Sequence, residues 1–235
     1  MAFDGFITKS VITELKNTII GAKVNKVFEP TKNDVVLSLY NNGNNYLLDL
    51  CANPEFCRIC LTSHSKQNPQ NAYNFCMLLR KYLIGGKITK ISNYDLERTV
   101  EIQFECYNDL NDLVKRKLFV EIMSRQSNII LTNENNIILD TLKHFDNNVR
   151  ELLPAHEYVF TPINKISFLE TSFDDLIELK NNSECTSITH FFMDTFIGFS
   201  KPLIKETISN LKISDEDFSN ENLQVLYDYF TELIL

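Results

Sequence analysis

The chain has 235 residues, 44% hydrophobic and 23% charged, ordinary values for one or two globular domains with a sizeable core. No run approaches the roughly 18 apolar residues of a membrane span. The start, Met1-Ala-Phe-Asp4, lacks the basic and apolar regions of a signal peptide, so the expected location is cytoplasmic. The net charge of −8 is uneven: residues 1–150 carry 18 basic and 16 acidic side chains, residues 151–235 carry 5 and 15. A polyanionic partner would meet local patches of the first part and be repelled by the second.

Ile7, Val11, Leu15 and Ile19 are spaced by four and predict an opening helix, with Thr8 as its cap and Gly21 as its stop. Residues 23–28 form a weak strand ended by Pro30. Residues 34–40 and 46–51 are stronger strands, joined by the hairpin signal Asn41-Asn-Gly-Asn-Asn45. Residues 58–62 are a further short strand. Asn68-Pro69 reads as the start of a helix whose apolar face holds Phe75, Leu78, Leu79 and Tyr82, and Gly85-Gly86 stops it. Residues 88–92 and 99–106 pair as strands, the second alternating Val100, Ile102, Phe104 and Cys106 with Thr99, Glu101, Gln103 and Glu105. Residues 113–123 lean towards a short helix, since Val114, Leu118 and Ile122 are four apart. Residues 129–131 and 137–139 form a hairpin around Thr132-Asn-Glu-Asn-Asn136.

Beyond Pro154 strand signals vanish and acidic helical segments follow, which places a domain boundary at 161/162. Ile197-Gly-Phe-Ser-Lys-Pro202 is a junction between two helices, with Ser200 capping the second. The last helix ends Glu232-Leu-Ile-Leu, an apolar end that predicts more chain beyond it, opening with a coiled coil.

The densest polar group follows an apolar run: Glu121, Arg125, Ser127 and Asn128. Glu121 and Arg125, four apart, could be a simple helical ion pair. Arg98 shares parity with Val100 and Ile102, so it either lines a pocket at the sheet's end or joins Glu97 in an ordinary strand-end pair worth little at a surface. Cys57 and Cys60 with His64 have a zinc-like spacing, but strand parity sends the two thiols to opposite faces. The remaining cysteines sit in apolar runs as small hydrophobes. No nucleophile–base pair, carboxylate dyad or phosphate-cradling glycine loop occurs, so no catalytic residue, metal or cofactor is expected.

Glu121-Ile-Met-Ser-Arg-Gln-Ser-Asn-Ile-Ile-Leu131 resembles the signature of the NFACT proteins, a ribosome-associated quality-control family known in bacteria as fibronectin-binding A proteins. The family has glycine where this chain has Ser124. Phe75-Cys-Met-Leu-Leu-Arg-Lys-Tyr-Leu83 resembles its MLLRKHL helix. Leu152-Leu-Pro-Ala-His-Glu-Tyr158 resembles its LLPG-x-x-Y, with Ala155 for the glycine. Phe3-Asp-Gly5 matches its start, and Gly198-Phe-Ser-Lys-Pro202 its helix-hairpin-helix segment.

The resemblance implies an α+β N-terminal domain (1–161), a β-sandwich with flanking helices like that of formamidopyrimidine-DNA glycosylases. A small all-helical, helix-hairpin-helix domain (162–235) would follow. It implies a non-enzymatic part of a factor that binds the large ribosomal subunit with stalled peptidyl-tRNA and recruits tRNA for template-free alanine tailing. The family's Asp-Arg pair falls on Glu97-Arg98, and Asp4 matches a further acidic position. The expected tRNA-binding residues are thus Arg98, Glu97, Asp4 and Arg125, and the expected partners are tRNA, the large subunit and the remaining domains of a longer chain. The glycosylases' N-terminal proline nucleophile is absent from Met1-Ala2-Phe3. A surface adhesin that binds fibronectin is the alternative.

Overall fold

The computed structural model describes residues 3–146 and 150–234. They divide into two compact units, one of Ser10–Tyr94 with Arg98–Thr161 and one of Met1–Lys9, Asp95–Glu97 and Pro162–Leu235.

The first unit is built on β1 (Lys23–Thr31), β2 (Asp34–Asn41), β3 (Asn44–Cys51), β4 (Arg58–Thr62), β5 (Lys87–Ser92), β6 (Thr99–Tyr107), β7 (Leu113–Glu121), β8 (Asn128–Asn133) and β9 (Ile138–Thr141). They form one antiparallel sheet in the order β4-β3-β2-β1-β5-β6-β7-β8-β9. The strands of the sandwich that the resemblance implies are thus joined by hydrogen bonds into one sheet. Its weakest joint is β1 with β5, which share only the registered pair Lys23 and Lys87. Backbone bonds around Gly21, Ala22, Gly85 and Gly86 reinforce that joint. A separate ladder pairs β10 (Phe145–Asp146) with β11 (Glu151–Leu152).

Local chemistry explains the hairpins. Asn42 and Gly43 both hold positive φ, 46° and 85°, as a two-residue turn between β2 and β3 requires. Asn136, at φ 61°, turns β8 into β9. The helix α1 (Gly5–Ile19) buries Ile12, Leu15 and Ile19, while Ile7 and Val11 are only half-buried. Gly21 follows at φ 86°, and Asn41 of β2 donates to the Thr18 carbonyl near the helix end.

Two expected elements differ. Residues 113–121 are the strand β7, paired along its whole length with β6. Spacing by four fits a strand as well as a helix, because four is a multiple of two. The second helix, α2 (Asn74–Leu83), begins after Tyr73 rather than at Asn68-Pro69, and Tyr73 gives it no side-chain cap. Glu29 of β1 lies beside the Cys76 backbone amide in the first turn of this helix.

That carboxylate is 5% exposed, and its Oε2 has no hydrogen-bond partner among the described residues. Burial pushes its pKa up to about 7 from 4.5. Between these values the folded state holds a proton that the unfolded state has released. Stability therefore falls as pH rises through that window. Glu29→Gln is expected to gain on the wild type by up to about 3 kcal/mol from pH 5 to pH 8.5, in paired urea titrations. An equal difference at both pH values would rule out the buried proton.

The second unit packs α3 (Phe173–Asn181), α4 (Ile188–Thr195), α5 (Lys201–Asn210) and α6 (Asn220–Ile234) around phenylalanines. Phe168, Phe191, Phe192, Phe196 and Phe230 are buried together with Phe6. Phe199 meets Phe6 and Phe230 edge-on at 4.9 Å each. Serines set the helix starts: Ser172 forms a capping box with Asp175, while Ser187 and Ser200 each accept a backbone amide of their own helix.

Candidate nucleic-acid interface

The end of the β6–β7 ladder carries the polar group singled out in the sequence. Arg98 immediately precedes β6, and its carbonyl accepts the Ile122 amide at 2.9 Å. The chain then leaves β7 through Met123 into a single 3-10 turn, Ser124–Gln126, and enters β8 at Asn128. Ser124 holds φ 49°. Ala155 likewise holds φ 69°. These are the two positions where the resembled family carries glycine, and left-handed backbone is the physical reason for glycine there.

Arg98 is half-buried and Arg125 exposed. Neither guanidinium has a hydrogen bond or ion pair among the described residues. Ser127 and Asn128 are buried at 1% and 3% exposure and shape the turn. Ser127 Oγ accepts the Met123 amide at 2.8 Å. Asn128 accepts the Ile129 and Lys143 amides and donates to the Lys143 carbonyl. Lys143 in turn places its Nζ on the Ala52 and Ser127 carbonyls.

Glu121 does not pair with Arg125. It is buried and takes a bidentate grip from Arg150, with Nη1 to Oε1 at 2.7 Å and Nη2 to Oε2 at 2.6 Å. The Tyr158 hydroxyl donates to the same Oε1 at 2.8 Å. Burial, with Glu121 beside it, pushes the Tyr158 phenol well above its usual value. Tyr158 also stacks on Phe119 at 4.1 Å, so the carboxylate anchors a small aromatic cluster to the sheet. Arg150 gave no local signal in the sequence. Its distance of 29 residues from Glu121 hid the pairing that a four-residue spacing had suggested for Arg125.

Asp4 and Glu97 fall in the other unit. Asp4 is 5% exposed and both its oxygens are used. Oδ1 accepts the Ile7 amide at 3.0 Å, which caps α1, and Oδ2 accepts the Ser200 hydroxyl at 2.7 Å. The cap expected at Thr8 is thus Asp4; the Thr8 hydroxyl donates to the Asp4 carbonyl. Ser200 in turn caps α5 through the Leu203 amide. One hydrogen bond therefore couples the starts of two helices. Glu97 is half-buried and has an interaction of its own. Arg98 and Arg125 share an end of the sheet.

Among the described residues no three His, Cys, Asp or Glu side chains gather as a metal group, and no helix is long and apolar enough to cross a membrane.

This is an α+β protein with a large antiparallel sheet and flanking helices, the architecture of the N-terminal domains of fibronectin-binding proteins. Its fold is similar to the N-terminal domain of fibronectin-binding protein PavA from Streptococcus pneumoniae, with TM-score 0.78 and 29% identity, covering 89% of this chain and 83% of that one. It is also similar to the fibrinogen-binding protein from Staphylococcus aureus, with TM-score 0.85 and 26% identity, covering 100% and 83%. The family described as NFACT N-terminal and middle domains matches residues 4–235, and the chain belongs to it. It is 37% identical over 221 residues to the Rqc2 homolog RqcH of Bacillus subtilis (strain 168), covering 92% of this chain and 39% of that relative. An archaeal Rqc2 homolog, aRqcH of Methanocaldococcus jannaschii, is 29% identical over 157 residues, covering 65% and 22%. The chain thus spans about two fifths or less of the length of these relatives.

Proposed function

We propose that this chain is the N-terminal part of a cytoplasmic, ribosome-associated quality-control factor. The factor binds the large ribosomal subunit with stalled peptidyl-tRNA and recruits tRNA for template-free alanine tailing. This portion holds tRNA without catalysing a reaction. Membership of the NFACT family and likeness to relatives named Rqc2 homologs support the setting. The observation that carries the RNA contact is the pair of uncompensated guanidiniums, Arg98 and Arg125, at one end of the β6–β7 ladder. Arginine without an internal anion is suited to bidentate recognition of phosphate.

Glu97→Ala with Arg98→Ala is expected to weaken tRNA binding about tenfold or more, the usual order for losing a charged hydrogen bond, and to lower the salt slope by about one. The melting curve should hardly move. Asp4→Ala should do the reverse, lowering stability by ~1 kcal/mol or more through the lost cap while the folded protein keeps its tRNA affinity. Unchanged binding by the Glu97/Arg98 variant at several salt concentrations removes the assignment.

The fibronectin- and fibrinogen-binding names of the structural neighbours favour one competing reading, a surface adhesin. Saturable binding to immobilised fibronectin, together with the native protein on the outer cell surface, would replace the RNA reading.

A further inference from the structure

Beside Arg125 the first unit has a small cleft of about 80 Å³. Its lining includes Arg125, Ser127, Asn128, Lys143, Arg150 and Thr161 and, among the described residues, no acidic side chain. Lys143 is the informative group. Its Nζ rests on two neutral carbonyls, Ala52 O at 2.6 Å and Ser127 O at 3.0 Å. No carboxylate pairs with it among the described residues, in contrast to Lys66, which meets Asp49 and Asp34. An ammonium in that position is desolvated without a countercharge, an arrangement that costs free energy unless an anion arrives. Burial accordingly pushes the Lys143 pKa down.

The charges that line the cleft do not cancel. Arg150 is neutralised by Glu121 at 2.6 Å. Arg125 and Lys143 are left, one unit of positive charge each. Two carbonyls occupy two of the three ammonium protons of Lys143 and leave one donor for a ligand. Ser127 accepts through Oγ and keeps its own proton to donate. The space holds a few waters or one tetrahedral oxyanion.

We propose that this cleft is an oxyanion subsite that takes one phosphate group, held by Lys143 and Arg125. The subsite deepens the RNA-binding reading and rests on it for the source of that phosphate, an RNA backbone. A free phosphate has the same chemistry, and the test separates the two. The subsite also explains why the turn from β7 to β8 is built so rigidly. Ser127 and Asn128 fix the Lys143 segment through three hydrogen bonds, which hold the ammonium in place before a ligand binds.

The test uses this chain, wild type, Arg125→Gln and Lys143→Met. The exposed Arg125 keeps the experiment informative if the lysine variant folds poorly. Thermal unfolding is followed with sodium phosphate against sodium chloride at equal ionic strength. Phosphate is expected to raise the wild-type midpoint saturably, and each substitution to weaken that effect at least tenfold in concentration. In parallel, a structured RNA hairpin is titrated at several salt concentrations, where each substitution should lower the log–log slope by about one. Loss of the phosphate effect with lowered slopes supports the subsite with RNA as the source. Loss of the phosphate effect with unchanged slopes supports it with free phosphate as the source. No saturable phosphate effect in the wild type with unchanged slopes, or an effect retained in both variants, overturns it. If Glu97/Arg98 substitution leaves tRNA binding intact while the phosphate effect stands, the RNA reading fails and the subsite remains.

Discussion

Arg150→Ala is expected to destabilise the first unit by about 3–5 kcal/mol, the range for breaking a buried ion pair from one side. The Glu121 side chain is 0% exposed and that of Arg150 9%, so removing the guanidinium leaves a carboxylate that water cannot reach. Tyr158 would still donate one hydrogen bond to it, which is too little for a buried charge. The damage would spread to the cluster of Phe119, Ile130, Ile138, Leu152 and Tyr158, because the Arg150 bridge ties the 150–159 segment over β7 and β8. Urea unfolding read by tyrosine fluorescence gives the number. Glu121→Leu combined with Arg150→Met should recover most of the loss, since both charges then leave together. If Arg150→Ala alone costs under about 1 kcal/mol, the pair behaves as a surface bridge and not as a buried one.

Gly198→Ala is expected to cost about 2–5 kcal/mol in the second unit, the sum of overpacking and left-handed strain. Gly5 donates its amide to the Gly198 carbonyl at 2.9 Å, so two backbone segments touch there with Leu96 beside them. A methyl on Gly198 would lie 2.5 Å from the Leu96 carbonyl oxygen, and Gly198 also holds φ 83°. Gly5 has no such φ, yet its methyl would come within 2.1 Å of the same oxygen. Gly5→Ala thus isolates the steric part, which involves backbone and cannot be relieved by a rotamer. Gly85→Ala isolates the other part, with φ 83° and nothing within 4 Å, and should cost only about 1–2 kcal/mol. Calorimetry of the three variants tests the division. Equal costs for Gly198→Ala and Gly85→Ala would show that the close approach carries no energy.

These glycines also account for two sequence matches that look unrelated. Phe3-Asp-Gly5 and Gly198-Phe-Ser-Lys-Pro202 are far apart in the chain but form one joint. The joint consists of the Gly5–Gly198 backbone bond, the Asp4–Ser200 hydrogen bond and the Phe6–Phe199 ring contact at 4.9 Å. The family start and the hairpin segment belong to the same piece of structure. Asp4 thereby has a structural duty sufficient to explain its side chain.

Elements governed by neighbours in the chain were legible from residues alone. The β2–β3 hairpin follows from Asn42-Gly43, the β8–β9 hairpin from the asparagines before Ile137, and the α5 start from Ser200 before Pro202. Their determinants are backbone preferences and side-chain-to-backbone bonds spanning two to four residues, which any window of sequence contains. Arg125 stood out in the polar break after an apolar run, whereas strand parity left Arg98 open between a pocket and a strand-end pair, and the family's Asp-Arg pair singled it out.

Long-range partners decided the rest. Glu121 is paired with Arg150 instead of Arg125. Whether 113–121 pairs as a strand depends on β6 being beside it. The sequence determines which residues carry charge and where the chain must turn. Only the tertiary structure decides which charges cancel, because a buried charge is settled by whatever the fold brings within hydrogen-bond reach. Arg150 finds Glu121 and is neutralised, while Arg125 and Lys143 meet no carboxylate among the described residues and remain available to an anion.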